Sequence, residues 1–117
     1  MTSKYPRRTF DYAFVDNVVD GDTVDILADL GFSVTTKIRF RLANINCPER
    51  GTDQWQEAKD FTTAALLHKA VIVRSTKLDK YGRYLAEVWT KDMLSDSINV
   101  QLLQHGLAVP FMVQVEK

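Results

Sequence analysis

Three short stretches carry the residue types that phosphodiester chemistry uses: VVDGDTVDI, RFRLANINCPER and LDKYGR. Hydrolysis of such a bond needs a carboxylate to take a proton from water. It needs cations to hold the phosphate and to stabilise charge gathering on its non-bridging oxygens. A hard metal ion serves the same end and takes oxygen ligands. The second stretch sets Arg39, Arg41, Glu49 and Arg50 around the end of a strand pattern, the third ends in Arg83, and the first carries Asp20 and Asp22 on a turn. Singly, each has a structural reading. Asp-Gly-Asp is a common hairpin turn, Pro-Glu at a strand end is a solvated turn, and DKYGR is a polar loop with Gly at a bend.

The elements that must position these residues follow from periodicity. FDYAFVDNVV and DTVDILADL are β-branched and partly alternating, with Asp20-Gly21 between them, which predicts a hairpin. Gly31 closes the second strand. In SVTTKIRFRLANI, Ile38, Phe40 and Leu42 point one way and Lys37, Arg39 and Arg41 the other, so the arginine face is expected outside. From Asp53 the period becomes helical, with Trp55, Ala58, Phe61, Thr62, Ala65 and Leu66 on one stripe. Asp53 followed by Gln56 resembles a capping box. AVIVRS and RYLAEVWT are two more strands, and a short helix is expected from Ser97 to His105 with Gly106 at its end. Three strands, a helix, two strands and a helix predict a mainly β, α+β fold: a five-stranded OB-fold barrel with two helices. Residues 1–9 are expected to be a loose tail and 10–117 one domain.

Composition bounds the function classes. At 117 residues the chain suits a single core, and 45% hydrophobic with 26% charged residues is a soluble globular profile. No run of about 18 apolar residues occurs, so no membrane span or membrane partner is expected. The opening MTSKYPRRTFDY lacks the apolar core of a signal peptide. The location expected is cytoplasmic if the chain is complete and extracellular if a leader has been removed. One cysteine excludes an internal disulfide. A net charge of zero argues against simple electrostatic coating of nucleic acid, but the charge is segregated. Residues 11–29 hold six aspartates and no lysine or arginine. Residues 37–50 hold four bases against one acid, and residues 69–83 five against one. Such segments could meet as a cation site beside an anion site, or could be solvated faces of opposite sign.

Taken in order, VVDGDTV, RFRLANINCPE, DKYGR and LLQHGLA make the chain resemble the thermonuclease (staphylococcal nuclease-like) family over about residues 10–112. The resemblance implies a calcium-dependent endonuclease on an OB-fold, acting on DNA and RNA with little sequence preference and leaving 3′-phosphate ends; a monomer is expected. By position it makes Arg41, Glu49 and Arg83 catalytic. Arginine keeps its charge and offers phosphate a planar fork of donors, so two of them could grip one phosphate with Glu49 at the floor of the same pocket. An arginine–glutamate surface ion pair is the structural alternative. The family's calcium ligands fall on Asp22, on Asn46 and on the carbonyl of Cys47. Asn46 stands where the family has aspartate and removes one negative charge, so calcium affinity is expected to fall or to shift to another ion. Asp20 is a further candidate through water.

Lys80 and Tyr81 match the family's nucleotide-contacting loop. Phe111 is a candidate for base stacking where the family has tyrosines, or else a core residue. The Cys47 thiol reads as passive, because neither histidine is well placed to activate it. Trp55 and Trp89 fit helix and strand burial. An inactive nuclease-like OB-fold module that binds nucleic acid is the alternative function, favoured by Asn46 and opposed by Arg41, Glu49 and Arg83.

Overall fold

The computed structural model describes residues 8–79 and 81–111. Among these the order is β1 (Arg8–Asp20), β2 (Thr23–Asp29), β3 (Thr35–Leu42), β4 (Ile45–Asn46), α1 (Asp53–Leu66), β5 (Ala70–Leu78), β6 (Tyr84–Thr90), α2 (Ile98–Gln104) and β7 (Val109–Pro110). Strands β1, β2, β3, β6 and β5 close into a barrel, with β5 returning to β1. This is the five-stranded barrel with two helices that the strand and helix order predicts. The β4–β7 ribbon is additional. Its strands are two residues long, too short for any alternation to announce them.

Alternation sets the core. Val15, Val24, Ile26, Phe40, Leu42, Val71, Val73 and Val88 are fully buried, and α1 and α2 add Ala58, Leu66, Ile98 and Leu102 to the same cluster. Most neighbouring strands are antiparallel, but β3 and β6 run parallel, with Phe40, Arg41 and Leu42 opposite Tyr84, Leu85 and Ala86. A parallel pair carries both strands the same way, so the end of β3 lies beside the start of β6. That pairing brings the RFRL and DKYGR stretches together.

Several local expectations are corrected. β1 begins at Arg8, inside the stretch expected as tail, because Arg8 and Thr9 pair with Ser75 and Arg74 of β5; residues 1–7 lie outside the described residues. The N-cap of α1 is Thr52, whose Oγ accepts the Trp55 N–H at 3.0 Å. Gln56 reaches forward to Asp60 rather than back to Asp53, so the capping box does not form. Ser97 caps α2 through the Val100 N–H. The arginine face of β3 does not stay outside along its whole length: Lys37 and Arg39 are exposed, but Arg41 is buried. The chain after Leu42 folds back over the strand end and encloses it.

Helix α1 clamps the β1–β2 turn. Thr62 Oγ1, fully buried, donates to the Gly21 carbonyl at 2.7 Å, and Trp55 Nε1 donates to Asp20 Oδ1 at 2.8 Å. Gly21 itself lies so close to the helix that a Cβ there would meet Ala58 Cβ at 2.8 Å and the Ala58 carbonyl carbon at 3.0 Å. Space, not a left-handed backbone, requires glycine at this position. Gly21→Ala is therefore expected to destabilise the protein by about 1–3 kcal/mol, the usual range for overpacking. Urea unfolding at neutral pH is the measurement, and an unchanged midpoint would refute the clamp.

Candidate active site

Arg41 is the centre of a buried polar knot. Its NH1 donates to the carbonyls of Leu42 at 3.1 Å and Ile45 at 3.0 Å. Its NH2 donates to Asn46 Oδ1 at 3.0 Å and lies 3.5 Å from Asp22 Oδ2. The Arg41 and Asp22 side chains are 8% and 13% exposed. Asp22 Oδ2 also accepts the Cys47 N–H at 3.0 Å, and Asp22 Oδ1 accepts from Thr23 Oγ1 at 3.3 Å. Phe111 covers the guanidinium with its ring centroid 5.5 Å from Cζ, and its own N–H bonds the Asn44 carbonyl. Asp22, Asn46 and Cys47, from two separated stretches, are thus brought together, with Arg41 among them.

Arg83 is built differently. The Asp79 carboxylate accepts the backbone N–H groups of Tyr81 and Arg83, each at 2.9 Å. The same carboxylate takes the Nε–H of Arg83. Asp79 is fully buried, while the Arg83 side chain is 49% exposed. Burial raises the Asp79 carboxyl, but the Arg83 and Tyr81 hydrogen bonds and the nearby guanidinium outweigh it and hold the net value below the usual carboxylate range. Tyr81, 72% exposed, lies against Arg83, its ring centroid 5.4 Å from Cζ. Lys80 lies outside the described residues.

Arg41 and Arg83 line one cleft of about 330 Å³, together with Thr23, Ile38, Arg39, Gly82 and Tyr84. Glu49 is not at the floor of this cleft. It lies on the exposed turn after β4 and lines a neighbouring depression with Asn46, Cys47, Pro48 and residues 106–109. Pro48 turns the chain there towards the Thr52 cap, and Thr52 Oγ1 bonds the Glu49 carbonyl at 2.9 Å. Among the described residues the Glu49 carboxylate has no ion pair or hydrogen bond. The Arg41–Asn46 hydrogen bond forms the divide between the two hollows, since Arg41 borders one and Asn46 the other.

Calcium takes six to eight oxygens at about 2.3–2.6 Å, usually with several carboxylates. Asp22, Asn46 and the Cys47 carbonyl offer one formal negative charge, and a guanidinium already lies against both side-chain oxygens. No group of three or more His, Cys, Asp and Glu able to hold a metal occurs among the described residues. As arranged, this donor set does not fit calcium. Asp20 adds nothing to it, because its Oδ1 accepts from Trp55 Nε1 and from Arg50 at 2.9 Å. Trp55 is more than packing: Arg50 and Lys59 lie over its ring at 5.3 and 5.1 Å.

Residue-type reasoning gave no role to Asp79, Arg39 or Tyr84. Arg39 shares its face of β3 with Arg41, a signal that alternation already contains. Asp79 opens DKYGR and Tyr84 follows it, and nothing local marks either as a site residue.

Two predictions follow from the protonation chemistry. Burial, then the Asp22 charge, pushes the Cys47 thiol up to about 12 against the opposing pull of Arg41. Native protein at pH 8 is expected to resist a thiol reagent that reacts fully in denaturant; rapid native labelling would refute this. The depressed Asp79 carboxyl contributes stability that is fully present above its unfolded value of about 4 and lost as pH falls through its folded one. Asp79→Asn is expected to lower stability at pH 7 and to flatten the acid limb of the stability–pH curve; an unchanged acid limb refutes the assignment.

Comparison with known proteins agrees with this architecture. Residues 39–117 match the family model described as staphylococcal nuclease homologue. Protein ParB of Escherichia coli is 28% identical over 100 residues, covering 80% of this chain and 54% of that protein. An uncharacterized endonuclease of Escherichia coli O157:H7 is 30% identical over 94 residues, covering 80% and 57%. Micrococcal nuclease of Shigella flexneri is 30% identical over 100 residues, covering 80% and 55%. The chain spans about half the length of these relatives. With its barrel and a family match over more than half its residues, the chain belongs to the staphylococcal nuclease homologue family.

Proposed function

We propose that this chain is an endonuclease that hydrolyses phosphodiester bonds of DNA and RNA with little sequence preference, acting as a monomer. The observation that carries the reading is the shared cleft, lined by Arg41 from the end of β3 and by the half-exposed Arg83 from the loop that leads into β6. Relatives named endonuclease and micrococcal nuclease support it. In this reading Arg83 presents the terminal nitrogens that Asp79 leaves unengaged to a non-bridging phosphate oxygen. Arg41 adds fixed positive potential at the cleft wall. Glu49, whose carboxylate no side chain among the described residues engages, takes the proton of the attacking water. The water oxygen joins phosphorus as the bond from phosphorus to the 5′ oxygen of the next nucleotide breaks, that oxygen takes up a proton from solvent, and a 3′-phosphate end remains.

Calcium dependence is proposed to be reduced relative to a site with two carboxylates, since Asn46 is neutral and Arg41 holds it. Asn46→Asp is expected to tighten calcium binding in calorimetry; identical titrations of both proteins would remove position 46 from any metal shell. The same two features favour a second reading, a module that binds nucleic acid without turnover. Cleavage of single-stranded and duplex DNA with calcium, magnesium or chelator decides between them. Glu49→Gln is expected to lower kcat by about 10²–10⁴-fold with little change in binding. Equal cleavage by wild type and variant would reject Glu49 as the base, and tight binding without cleavage under any ion would establish the second reading.

A further inference from the structure

The cleft holds a third arginine that the hydrolytic reading does not use. Arg39 precedes Arg41 by two residues on β3. Phe40 pairs with Tyr84 across the parallel strands, about 4.8 Å apart, so Arg39 on β3 and Arg83 in the loop entering β6 each stand one residue before that pair. Two like charges so placed repel unless each is compensated. Both are, in the same way. Arg39 Nε donates to Asp25 Oδ1 at 2.8 Å and its NH2 to Asp25 Oδ2 at 3.2 Å; Arg83 Nε donates to Asp79. The aspartates are 7% and 0% exposed, while the arginine side chains are 63% and 49% exposed. Burying a carboxylate is costly. The result here is two guanidiniums held by one edge, each with its remaining donors on the solvent side of a common cleft. Among the described residues, NH1 of Arg39 and both terminal nitrogens of Arg83 have no hydrogen-bond partner. Arg41 differs, since both its terminal nitrogens are committed to the chain.

We propose that Arg39, oriented by Asp25, is a phosphate-binding residue that takes, beside Arg83, the phosphate adjoining the scissile one in a single-stranded polynucleotide. The ring of Tyr84, 40% exposed, borders the same cleft and offers a face on which an unpaired base stacks. A cleft of about 330 Å³ is at the size of a small-ligand pocket and suits one nucleotide rather than a duplex. The proposal rests on the nuclease reading for the identity of its ligand, not for its geometry. The competing account is that the Arg39–Asp25 pair only links β2 to β3.

The test is fluorescence anisotropy of a labelled single-stranded oligonucleotide bound to the full chain, across a salt series. All proteins carry Glu49→Gln, and gels confirm that the strand stays intact. The double substitution Arg39→Gln with Asp25→Asn removes both charges of the pair. It is expected to lower the slope of log affinity against log salt by about 0.7, the value for one phosphate contact on a single strand. Arg74→Gln removes the same charge as Arg39→Gln outside the cleft, where Arg74 lies over Trp89, and should leave the slope unchanged. An unchanged slope in the double variant, or an equal loss in Arg74→Gln, overturns the proposal. Arg39→Lys keeps a cation beside Asp25 but loses the fork, and covers the case of a double variant that fails to fold. Its affinity at fixed salt should fall about threefold or more, and wild-type affinity would overturn the proposal. Binding without cleavage by a chain that retains Glu49 would reject the nuclease reading and leave this one standing. Cleavage with a full slope in the double variant would do the reverse, and no binding by any protein rejects both.

Discussion

A guanidinium with 8% of its side chain exposed must find partners for its N–H groups inside the protein, and the surroundings of Arg41 are shaped by that requirement. Two carbonyls of the chain that follows it, Leu42 and Ile45, turn inward to accept from NH1. Asn46 and Asp22 accept or neutralise at NH2. Asp22 in turn anchors the Cys47 N–H, which fixes the turn leading to Glu49 and the start of α1. Removing one partner from such a knot leaves a buried charge exposed to desolvation, a loss of about 3–5 kcal/mol where comparable pairs have been broken. Arg41 is therefore an organiser of the β3–α1 connection as much as a cleft residue.

The charge of position 46 decides how that knot is balanced. With asparagine there, the single carboxylate of Asp22 faces the single guanidinium of Arg41 at 3.5 Å, and Asn46 contributes a neutral acceptor. A second carboxylate would leave a net negative charge for a divalent ion to answer. One residue thus sets the charge balance of the internal ion pair, without any change in the barrel. The other two cleft arginines follow a separate scheme. Arg39 and Arg83 are held by buried aspartates and keep their outer donors available, so the cleft combines one committed guanidinium with two that face solvent. A near-zero formal charge on the chain is compatible with this, because the compensating acids lie behind the arginines rather than among them.

Alternation and helical period made most of the fold readable in advance. Phe40 and Leu42 are buried and Arg39 is exposed as period two requires, and α1 occupies the stretch where the stripe from Trp55 to Leu66 changes the period. Misreadings occurred where a residue's environment comes from distant chain. Thr52, not Asp53, caps α1 because its Oγ is the one placed to accept the Trp55 N–H once Pro48 and Gly51 have turned the loop. Asp20 serves Trp55 and Arg50, both of which arrive from beyond the third strand.

By itself the sequence determined the residue types at the site, the elements that carry them and the class of barrel, because these depend on local periodicity and on side-chain chemistry. Only the tertiary structure decided that Arg41 is interior, that Arg39 joins Arg83 in one cleft, and that Glu49 lines the hollow beside it. Those facts depend on the parallel β3–β6 register and on the fold-back of residues 43–47. The register joins parts of the chain some forty residues apart, and the fold-back draws on Asp22, Ala86 and Phe111 as well as on its own neighbours, so no local pattern encodes either.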